Sequence, residues 1–423
     1  MATRRTRRAV RSPRRRLHLL ALVGQIIALI IAVEASVLAV LSVVAAQRRR
    51  RQRSHRFPYP ELEEVEVAGN RLQIYCYGQD LYDAMLEAID AAQETIFIET
   101  FIWKGDALGQ EFRDRLARKA EEGVQVCVIF DRFGNLVVPR AFKESFPPAI
   151  KVFEYTALRR LWSFADLRSY ALDHRKLLVV DGKTAFIGGY NIGQLYATKW
   201  RDTHLRIVGP EAADVAQEIL DFWNRHQPSE KRIDVRFTRR LSPMIMLRTN
   251  DAARLVFPIR DMYIAAVDRA QSRIYITNAY FIPDGVFLNA LIAAAKRGVD
   301  VQILLPWMSN HIAADWAARG YFDTCLRNGI RIFAYRDVMI HAKTCTIDGS
   351  WSTLGTANLD RLSEVGNHEI NMEIYDEAFA REMERVFRCD KTNAFELTAA
   401  RWSARPWYVK LSERLLSPLR PAL

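Results

Sequence analysis

Two stretches of the chain carry the same reactive side chains at the same spacing: Asp173-His174-Arg175-Lys176-Leu177-Leu178-Val179-Val180-Asp181-Gly182 and His341-Ala342-Lys343-Thr344-Cys345-Thr346-Ile347-Asp348-Gly349. Each sets a His just before a Lys, with one residue between, and ends on an Asp-Gly pair. An Asn follows each His at one fixed separation (Asn191, Asn358), and a carboxylate at another (Asp202, Glu369). This duplicated set suits phosphodiester chemistry. A neutral imidazole attacks phosphorus while a second, protonated imidazole donates to the leaving alkoxide. With an ordinary pKa of about 6.5, both forms of His are accessible. Lys176, Lys343 and the two Asn can bind the non-bridging oxygens and the extra charge of the transition state. A carboxylate behind each ring would fix its tautomer and orientation.

One His-x-Lys on a strand would mean little, and Asp-Gly is ordinary turn chemistry. The weight lies in joint recurrence, since His, Lys, Asp-Gly, Gly188/Gly355, Asn and carboxylate all repeat at an offset of 167. A Lys beside each His repels a cation, and no Cys or His cluster completes a zinc site, so neither metal nor cofactor is expected.

The elements that would position these residues follow from the hairpin signal. With Asp181-Gly182 and Asp348-Gly349 as two-residue turns, His174 pairs with Gly189 and Lys176 with Ile187; His341 pairs with Thr356 and Lys343 with Leu354. His and Lys then share one face of each hairpin, joined by the Asn. The surrounding pattern repeats too. Helical spacing in Leu81–Gln93 recurs in Ile259–Gln271, and the β-rich run Ile96–Ile102 recurs in Ile274–Tyr280. Glu122–Ile129 likewise matches Arg297–Leu304, and Ile150–Tyr155 matches Ile330–Tyr335. The fold class expected is α/β: two repeated α/β/α sandwich halves with pseudo-twofold symmetry, each a largely parallel sheet covered by helices, with the site where they abut. The halves are assigned to 65–225 and 251–395, with a linker at 226–250 and a tail at 396–423 that lies on the membrane or packs on the body. Between Tyr155 and His174 the first half carries an insertion relative to the second, including Arg159, Arg160, Leu161, Trp162 and Phe164.

The 423 residues, half of them apolar, can bury a large core. Their net charge of +12 does not describe a nucleic-acid groove. Residues 1–56 hold fourteen Arg against Glu34, which is +13, and so the rest of the chain is at −1. Within this segment, an Arg-rich tail (1–16) and a basic linker (47–64) flank residues 17–46, whose only formal charge is Glu34. This apolar run exceeds the roughly 20 residues that a bilayer core needs, so a tilted single-pass anchor is expected. Five scattered Cys without a CxxC pair are expected to be free thiols in a reducing compartment.

The doubled His-x-Lys-x4-Asp, each followed by Gly-x-x-Asn (Gly188-Gly189-Tyr190-Asn191 and Gly355-Thr356-Ala357-Asn358), resembles the phospholipase D superfamily. Ile98–Trp103, Ile187–Gly193, Trp200–His204, Asn278–Pro283 and Gly355–Asp360 are most similar to bacterial cardiolipin synthases, over roughly residues 65–395. The resemblance implies catalytic His174, Lys176, Asp181, His341, Lys343 and Asp348, with Asn191, Asn358, Asp202, Glu369 and Thr356 binding phosphate or orienting. Thr356 stands where the family often has Ser and keeps the hydroxyl. It further implies that His174 is the nucleophile and His341 the acid, and that no metal is needed. One phosphatidylglycerol would give its phosphatidyl group to the enzyme and release glycerol, and a second would accept it. Phospholipid and the bilayer are the expected partners, nucleic acid is not, and the expected place is the inner membrane with the body facing the cytoplasm. The alternatives are a hydrolytic phospholipase D, another phosphatidyltransferase and, less expected, a nuclease of the superfamily.

Overall fold

The computed structural model describes residues 57–157, 171–240, 242–252 and 254–415, with single positions at 25, 32, 36, 39 and 43. The expected anchor at 17–46, those positions apart, and the Arg- and Trp-bearing insertion at 158–170 lie outside the described residues. Among the described residues no helix is long and apolar enough to cross a membrane.

The first half builds an eight-stranded sheet in the order β1-β2-β9-β7-β6-β3-β4-β5. Its strands are β1 (Val65–Val67), β2 (Asn70–Tyr75), β3 (Thr95–Thr100), β4 (Gln125–Asp131), β5 (Lys151–Tyr155), β6 (Leu177–Val180), β7 (Thr184–Gly188) and β9 (His204–Val208). β8 (Trp200–Arg201) stands outside it. The second sheet runs β10-β17-β16-β15-β11-β12-β13-β18. It contains β10 (Ile245–Asn250), β11 (Arg273–Asn278), β12 (Asp300–Pro306), β13 (Arg331–Tyr335), β15 (Lys343–Ile347), β16 (Trp351–Gly355), β17 (Glu369–Tyr375) and β18 (Ala394–Leu397), with β14 (Met339–Ile340) apart.

The expected largely parallel sheets are in fact mixed. Only β3-β4-β5 and β11-β12-β13 run parallel. The motif hairpins add antiparallel pairs, and the strand after each (β9, β17) returns antiparallel beside β7 or β16. Helices join the parallel strands because such strands need a crossover. Two of these helices start at Asp caps: Asp106 accepts from Gly109 N–H at 3.1 Å, and Asp284 from Phe287 N–H at 2.7 Å.

The two halves share one core. Phe97, Ile129, Leu177, Ile187 and Ile207 of the first sheet pack in the same apolar cluster as Leu354, Ile370, Met372 and Ile374 of the second. Separate clusters fill the outer faces of each sheet. The expected linker at 226–250 ends sooner, because Ile245–Asn250 is an edge strand paired along its length with β17. Its sequence hides this: Ile245, Met246 and Leu247 are consecutive rather than alternating, and Arg248 is there to pair with Glu373 at 2.7 Å. The second half also extends past 395, since β18 pairs with β13. In the tail, helices Ala399–Ser403 and Trp407–Leu415 pack on the helix Ile312–Arg327. Cys76, Cys127, Cys325 and Cys345 are buried free thiols, and Cys389 is a half-buried one.

Candidate active site

Each motif hairpin turns at its Asp-Gly, with φ of 51° and 60° at Asp181 and Gly182 and of 54° and 67° at Asp348 and Gly349. Only short polar residues and Gly adopt this left-handed backbone readily. Pairing resumes one residue late, however, with Val180 opposite Thr184 and Leu177 opposite Ile187, and with Thr344 opposite Leu354. The loops therefore hold a third residue, Lys183 or Ser350, and the register is one residue off the expected one. His174 and Lys176 lie just before β6 rather than on it, while Lys343 opens β15.

The two motif aspartates do not join the histidines. Asp181 accepts from the backbone N–H groups of Gln93, Glu94 and Thr95 at 2.8–2.9 Å. Asp348 does the same for Gln271, Ser272 and Arg273 at 2.8–2.9 Å. Burial opposes ionisation at both, but these N–H groups hold each carboxyl below its usual pKa. The extended chain between them puts each about 20 Å from its His. These bonds give both aspartates a structural part: each ties a hairpin turn to the start of β3 or β11.

The two motifs come together because backbone of one half pairs with backbone of the other. β14 runs parallel to β8, and His341 N–H donates to Arg201 C=O at 2.7 Å. On the opposite side Asp173 bridges His368, and His174 N–H donates to His368 C=O at 3.1 Å. The buried guanidinium of Arg201 clasps Asp390 of the second half at 2.7 and 2.8 Å. As a result the carboxylates are exchanged. His174 Nδ1 lies 2.9 and 3.0 Å from the two oxygens of Glu369, and His341 Nδ1 lies 2.7 Å from Asp202 Oδ2. Each ring is backed by the carboxylate of the other half.

The other expected residues divide. Thr356 joins the site, its hydroxyl 2.5 Å from Glu369 Oε2 and accepting from Ile370 N–H at 2.9 Å. Its counterpart Gly189 has no room for a side chain, as an added Cβ would lie 2.2 Å from Asp202 Oδ1. Lys176 and Lys343 are buried and each bonds the carbonyl of its own His; Lys343 Nζ also lies 2.8 Å from His341 Nδ1. Asn191 spends its side-chain oxygen on Ile102 N–H at 3.0 Å, so it braces the 101–104 segment. Asn358 is buried, with no partner for Oδ1 among the described residues.

Burial and like charge set the protonation. Burial, with Lys176 and Lys343, holds the His174 ring well below the usual histidine range. Burial and Lys343 bring His341 down to about 3 against the pull of Asp202. Burial lowers Lys176 to about 7 and Lys343 to about 8. The two carboxylates differ. Burial pushes Glu369 up to about 8, whereas at Asp202 burial is overcome by Lys343 and His341, which hold it below its usual value.

Sequence reasoning missed the aromatic walls. The Phe101 ring meets His174 edge-on at 5.0 Å and sits 5.3 Å from Lys176 Nζ; Trp200 lies 4.9 Å and Tyr280 6.0 Å from the His341 ring. All three stand in stretches already notable in the sequence, but a lone aromatic carries no spacing signal. The buried pairing of Arg175 with Glu99, and with Asp173 at 3.3 Å, was also unread.

The family described as "Cardiolipin synthase, PLD-like domain" matches residues 85–223 and 263–391. The major cardiolipin synthase ClsA of Bacillus subtilis is 32% identical over 372 residues, covering 83% of this chain and 75% of its own. Cardiolipin synthase 1 of Staphylococcus aureus is 33% identical over 371 residues, covering 84% and 74%. Among solved structures, the phosphatidylserine synthase of Haemophilus influenzae superposes with a TM-score of 0.65 at 15% identity, covering 89% of this chain and 97% of that one, a likeness of fold.

Proposed function

From the premise that the chain belongs to the cardiolipin synthase family of phospholipase D-like proteins, we propose how its two halves share the synthesis of cardiolipin from two molecules of phosphatidylglycerol. His174 holds its Nδ1 proton toward Glu369 and keeps the Nε2 lone pair for attack on phosphorus. The anionic phosphodiester offsets the repulsion among two Lys and two His, which raises the proton affinity of His341 when substrate binds. His341 then gives its proton to the departing glycerol oxygen, leaving a phosphatidyl-histidine. The second phosphatidylglycerol enters, His341 takes the proton of its attacking hydroxyl, and the phosphorus–nitrogen bond breaks as cardiolipin forms. Lys176, Lys343 and Asn358 bind the non-bridging oxygens.

The observation that carries this reading is the exchanged pairing of two buried His with carboxyls of unequal proton affinity. Asp202, an anion at neutral pH, offsets an imidazolium at His341, which favours that ring as the acid. The halves, 65–225 and about 245–397, form the catalytic body. The apolar run at 17–46 serves as the single-pass anchor in the inner membrane, with the body on the cytoplasmic side. Mass spectrometry after incubating the purified protein with phosphatidylglycerol tests the reading. Cardiolipin and glycerol are expected; phosphatidic acid alone would mark a hydrolase, and unchanged lipid would sink the proposal.

A further inference from the structure

The turn after β4 carries the most exposed cluster of large apolar side chains near the site. Phe133 is 62% exposed, Leu136 66% and Val137 78%. The turn is not loose, for Asn135 is buried beneath it and holds it by three bonds. Its Oδ1 accepts from Trp103 N–H at 2.8 Å, and its Nδ2 donates to Phe101 C=O at 2.9 Å and to Asp131 C=O at 2.7 Å. Gly134 lies so close that an added Cβ would sit 2.4 Å from Phe101 C=O. Phe101 is the residue whose ring touches His174. The apolar tip and the reacting imidazole are thus fixed to the same short segment, 101–104. The short helix Gln194–Thr198, which carries Leu195 (46% exposed), is fastened to that segment too, because Lys104 N–H donates to Ile192 C=O at 2.9 Å just before it. Leu195 has a twin at the same offset of 167, Leu362, 50% exposed on the helix that follows Asn358.

The equivalent turn of the second half has no such tip. After β12, Trp307 is half-buried, with Arg319 5.2 Å over its ring and Phe395 5.2 Å away, and Asn310 is tied to the Tyr280 hydroxyl.

We propose that the 132–138 turn is an apolar wedge that seats the mouth of the active site on an anionic phospholipid bilayer, with Leu195 and Leu362 as shallower contacts. Exposed Arg132 and Arg140 flank the wedge, Arg140 paired with Glu144 at 2.6 Å, and their charge suits a surface of phosphatidylglycerol. A tip of three side chains falls well short of the roughly 800 Å² per partner that a specific protein interface buries. The inference rests on the lipid reading of the site and adds where the lipid surface lies.

The test uses the full chain in vesicles of phosphatidylglycerol brominated along its acyl chains. Phe133→Trp should show additional fluorescence that is blue-shifted and quenched by the bromines, relative to the parent. Additional fluorescence that stays water-like and unquenched would overturn the wedge, including the cases where residues 158–170 or a second copy covers the tip. In parallel, the triple variant F133S/L136S/V137S should lose about tenfold or more of its cardiolipin synthesis on vesicles. On short-chain phosphatidylglycerol below its micellar concentration it should stay within about twofold of the parent. Equal loss on both substrates would overturn the proposal. A parent inactive on both would overturn the catalytic reading instead, and the quenching result would still decide the wedge.

Discussion

The two histidines occupy matching positions in repeated halves, yet they are not backed alike. Behind His174, Glu369 is pushed up to about 8 and shares its carboxyl with the Thr356 hydroxyl. Behind His341, Asp202 is held below its usual range and faces Gly189, where no side chain fits. A duplicated motif supplies two copies of each group, and in the proposed reaction one copy acts as nucleophile and the other as acid. Here the difference lies in the carboxyls and in the residue beside each, rather than in the histidines.

The comparison breaks most sharply at the rings. His174→Ala should abolish the covalent phosphatidyl adduct and lower turnover by about 10⁴-fold or more, while His341→Ala still forms the adduct slowly. Intact-mass measurement after a brief exposure to substrate decides; an adduct in the first variant and none in the second would exchange the two roles. Next come the carboxyls. Asp202→Asn should cost about 10²- to 10³-fold in kcat, and Glu369→Gln less, since only the first loses an anion that offsets an imidazolium.

Stability should separate these two as well. Glu369 titrates above its ordinary value of 4.5 in the folded protein. Its contribution is therefore complete at acid pH and is lost as pH rises toward about 8. Denaturation of Glu369→Gln across pH 5–8 should lack a slope of at most about 1.4 kcal/mol per pH unit. Asp202 titrates below its ordinary value, so its contribution is present at neutral pH and is lost on acidification. Asp202→Asn should be less stable than the parent at pH 7 and converge on it in acid.

The residues beside the carboxyls are a third contrast. Gly189→Thr, which makes the first half copy the second, drives a side chain into Asp202 and should cost about 100-fold in kcat/KM. Thr356→Gly removes the hydroxyl's bonds to Glu369 and Ile370 without placing anything against the carboxyl, and should cost about tenfold. Comparable losses would mean that the two positions are equivalent after all. The smallest effect is expected far from the chemistry: Asp181→Ala and Asp348→Ala should each lower stability by about 2 kcal/mol, read from denaturant midpoints, with kcat of the folded enzyme unchanged.

Much of this site is legible in the sequence because a repeat offers an internal control. The common offset of 167 separates His174, Lys176, Asn191 and Asp202 from background. The offset is silent about which carboxylate reaches which ring, because the stretch from His to carboxylate, equally long in both halves, fits either pairing. The exchange follows from β14 lying on β8 and from Asp173 bridging His368, contacts between backbones that no side-chain pattern encodes. The register was missed for a local reason. Asp-Gly does supply the turn, but Lys183 and Ser350 each add a loop residue, and one residue is enough to move every partner. The structural part of the motif aspartates was missed because an Asp in a turn and an Asp in a site look the same in sequence until its acceptor oxygens are counted.

Exchange of the carboxylates also bears on how the protein is made. While the chain is being synthesised, the first half emerges with His174, Lys176 and Asp202 in hand, but Glu369 and Asp390 follow only when the second half is nearly complete. Until they arrive, His174 has no carboxyl behind it and Arg201 no acid to clasp. On the proposed mechanism, a prematurely ended chain would carry the nucleophile without the carboxyl that orients it and without the acid that completes its reaction.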